Sequence, residues 1–181
     1  MPRRKGDVMA PVKPVTRAMK LLRERPELVE RLLLLAEPPS NGCIRSHVDA
    51  RNIVSPMLAG QEREHLVGIA LDRRHGVIDA AVLSIGSDAH AIVEPRYIFR
   101  WALTRKRLAV SIVIAHNHPS GNHEPSSEDV DVTNRVAEAG RIVGVTLLDH
   151  LIVAGDAYVS LAERGLLPMW GQAAVSFTVN S

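Results

Sequence analysis

Residues 108–121 read LAVSIVIAHNHPSG. The first part is a near-continuous apolar run rich in Val and Ile. Such a run fits a central strand covered on both faces. The second part sets two histidines one residue apart and then breaks the strand with Pro119 and Gly121. Side chains alternate faces along a strand, so His116 and His118 point one way and Asn117 the other. Two neutral imidazoles on one face of a rigid strand can grip one ion. The break leaves them at a sheet end, where loops build sites.

Working outward from this strand, the loop 118–126, HPSGNHEPS, leads into SSEDVDVT. Ser126 is a good N-cap for a helix over 126–143, and Asp129, three residues on, completes a pair like a capping box. Asp129 then sits in the first helical turn, where the helix dipole favours a carboxylate. If that turn faces the histidines, His116, His118 and Asp129 form a ligand triad. Three protein ligands plus a water are the coordination of a catalytic zinc, whereas structural sites close with four ligands. Imidazole with carboxylate suits zinc, and the same donors also accept iron, nickel or manganese. A simple helix cap accounts for Ser126 and Asp129 by themselves; the histidines are what make the pair notable. Asp131 lies two residues beyond Asp129, roughly 200° around the helix, so both cannot face one ion.

A zinc site of this kind needs a general base for its water, and a carboxylate from another element is the usual answer. Glu64 opens the first strand of the main domain and could approach the same end. Glu62 and Glu94 are rivals that periodicity does not separate from it.

The rest of the chain alternates strands and helices. Residues 47–58 read as a helix closed by Gly60. HLVGIALD (65–72) is a strand, DRRHG a turn and VIDAAVLSIG (77–86) the returning strand. Pro95 starts a helix over PRYIFRWALTRK with Tyr97, Ile98, Trp101 and Ala102 on one face. TLLDHLIVAG (146–155) is a strand, GD a turn and AYVS its partner. Asp149 and His150 point to opposite faces of their strand, and His150 reads as a support for the ligands rather than a further ligand. His123 reads as a solvent-exposed loop residue and Cys43 as incidental. The fold class is α/β, a mixed β-sheet packed between helices.

Three regions follow: a basic arm and short helical region over 1–42, a main domain over 43–168 and a tail over 169–181. The arm begins MPRRKGDVMAPVKPV, and residues 16–36 carry helical periodicity interrupted by Pro26. EPPSNG (37–42) is a linker by composition. The arm's excess of Lys and Arg allows weak, non-specific DNA binding through phosphates. It holds no interleaved aromatic residue for stacking bases. Net charge over the whole chain is only +2, and the single cysteine excludes an internal disulfide or a multi-cysteine zinc site. The Leu32 to Leu35 run is too short for a membrane span, so no membrane partner and a cytoplasmic location are expected.

HNHPSG, EPSSEDVDVT, LLDHLIVAG and YVSLAERGLL together resemble the RadC family. The likeness runs from about Ser46 to Leu167. RadC proteins carry a JAB/MPN domain with the JAMM metalloprotease motif: an upstream Glu, His-x-His-Pro and Ser-x-x-Asp. These match Glu64, His116, His118, Ser126 and Asp129. The resemblance implies a cytidine-deaminase-like α/β sandwich binding Zn2+ through His116, His118 and Asp129. It further implies Glu64 as base, Ser126 as a donor to the tetrahedral oxyanion and hydrolysis of a peptide or isopeptide bond. Ubiquitin-like tails, other isopeptides and ordinary peptides are all compatible with these ligands. Many RadC proteins also carry an N-terminal helix-hairpin-helix module for DNA, and the region before Gly42 shows no Gly-rich hairpin of that kind. The alternative reading is a DNA-repair-associated nucleic-acid or protein binding module in which the JAB domain is mainly a scaffold.

Overall fold

The computed structural model describes residues 42–86 and 94–168. The basic arm, the helical reading of 16–36, nearly all of the linker and the tail from residue 169 lie outside the described residues. Within them, helix α1 (His47–Leu58) precedes strands β1 (His65–Leu71) and β2 (Val77–Ile85). Helix α2 (Pro95–Leu103), strand β3 (Ser111–Asn117), helix α3 (Ser127–Val143), and strands β4 (Thr146–Ala154) and β5 (Ala157–Ser160) follow.

The five strands form one mixed sheet in the order β2-β1-β3-β4-β5. β3 occupies the centre, antiparallel to β1 and parallel to β4. Every residue of β3 is buried, as its apolar run requires. The parallel step from β3 to β4 needs a crossover, and α3 supplies it.

Side-chain parity divides the core between two faces. Val67, Ile69, Val113, Ala115 and Leu151 pack with Ala50, Val54 and Leu58 of α1. Leu66, Ala70, Ile112 and Ile114 pack with Ile98, Phe99 and Ala102 of α2 and Val136 and Ala137 of α3. The described residues therefore form an α/β sandwich, with α1 on one side of the sheet and α2 and α3 on the other.

On α2, the buried face differs from the expected one. Ile98, Phe99 and Ala102 are buried, whereas Tyr97 is 49% exposed. Tyr97 lies under the guanidinium groups of Arg96 and Arg100, so cations rather than the core cover its ring. The helix also ends at Leu103, short of the basic residues that follow.

A β-bulge sets the face of β4. Ile112 pairs with Leu147 but Val113 pairs with Asp149, so Leu148 is an extra residue. The shift sends His150 to the α3 face and Asp149 to the α1 face. Asp149 is held there by Ser160 Oγ at 2.6 Å and the Ala162 amide at 3.0 Å, both donating to it.

No helix among the described residues is long and apolar enough to cross a membrane.

Candidate metal centre

His116 shares its face of β3 with Ile112 and Ile114, which is the face covered by α3. The first turn of α3 therefore meets it. Ser126 caps that helix, and the capping box is complete: Ser126 Oγ accepts from the Asp129 amide, and Asp129 Oδ2 accepts from the Ser126 amide. Asp129 Oδ2 also accepts from Ser126 Oγ at 2.7 Å. With one oxygen held by the cap, Oδ1 is aimed at His116.

The ligand atoms converge. His116 Nε2 and His118 Nε2 are 2.9 Å apart. Asp129 approaches them with Oδ1 3.0 Å from His116 Nε2 and Oδ2 3.5 Å from His118 Nε2. Zinc bonds of ~2.0–2.1 Å at tetrahedral angles place neighbouring ligand atoms roughly 3.3 Å apart, which these separations bracket. The donor set of two imidazoles and a carboxylate fits a divalent transition metal. His118 Nδ1 lies 2.7 Å from the Asn122 carbonyl, which only accepts. The proton is therefore on Nδ1, and a neutral His118 presents a bare Nε2. Among the described residues, these three form the one group of histidine and acidic side chains close enough to share an ion.

Electrostatics agree with this geometry. Burial opposes ionisation of Asp129, yet the hydrogen bonds to His116 and His118 prevail and hold its carboxyl far below the usual range. The hydrogen bond to Asp129 raises His118, and Glu64 adds to the rise through space. Burial, reinforced by His116, keeps His150 well below its ordinary value.

The triad lines a cleft of about 910 Å³ that also contains Glu64, Glu128, Ser126 and Arg135. Glu64 is half-buried at the entry to β1. Its rivals stand elsewhere: Glu62 is exposed, and Glu94 precedes α2 and pairs with Arg96 at 3.4 Å. Asp131 reaches the cleft wall but is exposed and outside the triad. His123 approaches Glu124 at 3.9 Å, and Cys43 is exposed in an isolated bridge to Gly76.

Two residues escaped the sequence reading. Thr133 is fully buried and contacts His150. It lies one turn after Asp129, and tracing the helix face from Asp129 would have exposed it. Asn117 points away from the ligands, as strand alternation requires, yet it binds the backbone on either side of Glu64. No local pattern signals that contact.

A mixed-sheet α/β sandwich with a histidine pair at the end of its central strand and a carboxylate at a facing helix N-terminus defines a JAB-type domain. The RadC-like JAB domain model matches residues 44–166. The chain belongs to the RadC family. It is 43% identical over 137 residues to a UPF0758 protein of Rubrobacter xylanophilus, covering 76% of this chain and 59% of that one. It is 47% identical over 122 residues to a UPF0758 protein of a Geobacillus species, covering 67% of this chain and 53% of the relative. A Methanococcoides burtonii UPF0758 protein is 38% identical over 141 residues, covering 78% and 60%. The chain thus spans little more than half the length of these relatives.

Proposed function

We propose that this domain is a zinc-dependent hydrolase of amide bonds acting on peptide or isopeptide substrates, ubiquitin-like tails among them. The supporting observation is the convergence of His116 Nε2, His118 Nε2 and the Asp129 carboxylate in a cleft shared with Glu64. His116, His118 and Asp129 would hold the ion and leave a coordination position facing the cleft. Zinc bound there lowers the pKa of water and polarises a scissile carbonyl.

Glu64, which lines the same cleft, would take a proton from attacking water and return it to the leaving amine. Ser126 has one hydroxyl proton, and here it is directed to Asp129 Oδ2. Donation to a tetrahedral oxyanion therefore requires the hydroxyl to turn from Asp129. The Ser126 amide, 2.8 Å from Oδ2, keeps the carboxylate in place meanwhile.

The test is metal content by elemental mass spectrometry on untagged protein. About one zinc per chain is expected in wild type, and little in His118→Ala or Asp129→Ala. A wild-type protein that takes up no zinc when it is supplied sinks the reading. Glu64→Gln should retain zinc while losing hydrolysis across a peptide and isopeptide panel.

A further inference from the structure

A metal ligand must offer a bare nitrogen. His116 faces Asp129 and His118 with Nε2, so to bind a metal between them its neutral ring must carry the proton on Nδ1. Nδ1 lies 2.8 Å from His150 Nε2. A hydrogen bond between two ring nitrogens can run in either direction, and the choice decides whether His116 can bind a cation.

The choice is made one residue further on. Thr133 Oγ1 lies 2.6 Å from the Asp129 backbone carbonyl and 2.6 Å from His150 Nδ1. A carbonyl only accepts, so the single hydroxyl proton goes to it. Thr133 then accepts from His150, whose Nδ1 carries the proton. His150 Nε2 is left bare and accepts from His116 Nδ1–H. A neutral His116 that keeps this bond has its Nε2 free for a metal in place of the hydrogen bond to Asp129. Thr133 is 0% and His150 1% exposed, which shields both groups from water that could substitute for either partner.

We infer that Thr133 and His150 are positioning residues that fix the tautomer of His116, so that Nε2 is the nitrogen offered to the metal. The inference rests on the metal reading of the triad, but the tautomer can be measured without metal. The anchor of the chain is the carbonyl of Asp129, itself a ligand. One helical turn thus supplies a carboxylate and sets the proton on an imidazole of another element.

The experiment uses protein with 15N-labelled histidine. Long-range 1H–15N NMR on the metal-free protein at alkaline pH reads each tautomer, and Zn2+ affinity is measured against a chromophoric chelator. Wild type should show His150 protonated at Nδ1; in the metal-free protein the ionised Asp129, 3.0 Å from His116 Nε2, competes with His150 for the His116 proton. In Thr133→Val the His150 Nδ1–H has no acceptor. Its proton should move to Nε2 and force the His116 proton onto the ligand nitrogen. Zinc affinity should then fall about 10- to 100-fold. Thr133→Ser should restore both the tautomer and the affinity. Thr133→Ala asks the same question if the valine variant unfolds.

An unchanged His150 tautomer, or an unchanged zinc affinity, in the valine or alanine variant overturns the inference. Wild type that binds no zinc overturns the metal reading instead, and the tautomer shift still decides what Thr133 does.

Discussion

Asn117 holds the backbone around Glu64 from the opposite face of the sheet. Its Oδ1 accepts from the His65 amide at 2.7 Å, and its Nδ2 donates to the Arg63 carbonyl at 2.9 Å. Glu64 lies between those two residues. The strand that aims two histidines toward α3 thus uses the residue between them to seat the proposed base. Asn117→Ala leaves the His65 amide without its partner and removes one bond to the Arg63 carbonyl, which His65 Nδ1 also approaches at 2.9 Å. The expected cost is about 1–3 kcal/mol in denaturant unfolding. Hydrogen exchange at the His65 amide should accelerate, while zinc content stays at the wild-type level. Undiminished protection at His65 would show that Asn117 does not hold this segment.

Ser126 joins the helix cap to the ligand carboxylate. Ser126→Ala removes the acceptor for the Asp129 amide and the hydroxyl donor to Oδ2. A lost N-cap costs about 0.5–2 kcal/mol. A metal-free helix effect would stop at that figure. Here zinc affinity should also fall, because Asp129 is freer to turn away from His116. Ser126→Thr should keep most of both. Calorimetric binding beside thermal unfolding separates the two effects. Equal zinc affinity in Ser126→Ala and wild type would limit Ser126 to capping.

Much of this arrangement is legible in the sequence because it is local. The apolar run before His116 marks a central strand, and alternation puts both histidines on one face. Ser126 and Asp129 carry their capping pattern within four residues. Tyr97 was misplaced because helical periodicity admits an arc of residues, and Arg96 and Arg100 compete with the core for its ring. His150 reads as a support for the ligands and lies 2.8 Å from His116 Nδ1, but the face that brings it there is not legible in the pattern. A regular β4 continuing the Leu147 register would turn Asp149, not His150, toward α3. The bulge at Leu148 reverses that parity, and no residue type there announces it. Thr133 depends on the same bulge, since its hydroxyl meets the histidine only after the shift.

The shifts at the triad set a pH dependence with a defined sign. The hydrogen bond it donates to Asp129 raises His118 above its ordinary 6.5. A raised histidine stabilises the metal-free fold below its unfolded value, and this is lost as pH rises through the folded value. Asp129 is lowered from 3.8, so its contribution is present above that value and lost as pH falls through the depressed one. Their joint contribution in the metal-free domain is therefore fullest between 3.8 and 6.5. Zinc must displace the His118 proton, so its affinity should fall about tenfold per pH unit below the raised value. Buried His150, held well below 6.5, destabilises the metal-free fold as pH falls through 6.5 and opposes His118, so the readout is zinc affinity itself, which should be lower at about pH 5.5 than at about pH 8. A zinc affinity that does not vary over this interval would remove His118 from the ligand set.

Gly140 tests how firmly α3 must sit against the rest of the sandwich. A Cβ there would stand 2.4 Å from the Val145 backbone carbonyl and 3.1 Å from Phe99 Cζ on α2. The carbonyl lies in the turn from α3 into β4 and accepts no easy displacement. At Gly68 on β1 the nearest atoms are side chains, Leu83 Cδ1 at 2.6 Å and Trp101 Cζ3 at 2.9 Å. Leu83 can rotate, although the Trp101 ring has less room. Gly140→Ala should cost about 1–3 kcal/mol, at the upper end of what overpacking does, and Gly68→Ala less. Because β3 and β4 carry His116 and His150, a shift of α3 away from the sheet should also weaken zinc binding in Gly140→Ala. Gly68→Ala, whose neighbours are Leu83 and Trp101 rather than the first turn of α3, should bind zinc like wild type. Paired unfolding and zinc titrations on the two variants check both halves. The reverse order of stability would mean that the α3–β4 turn yields more readily than the packing around Trp101.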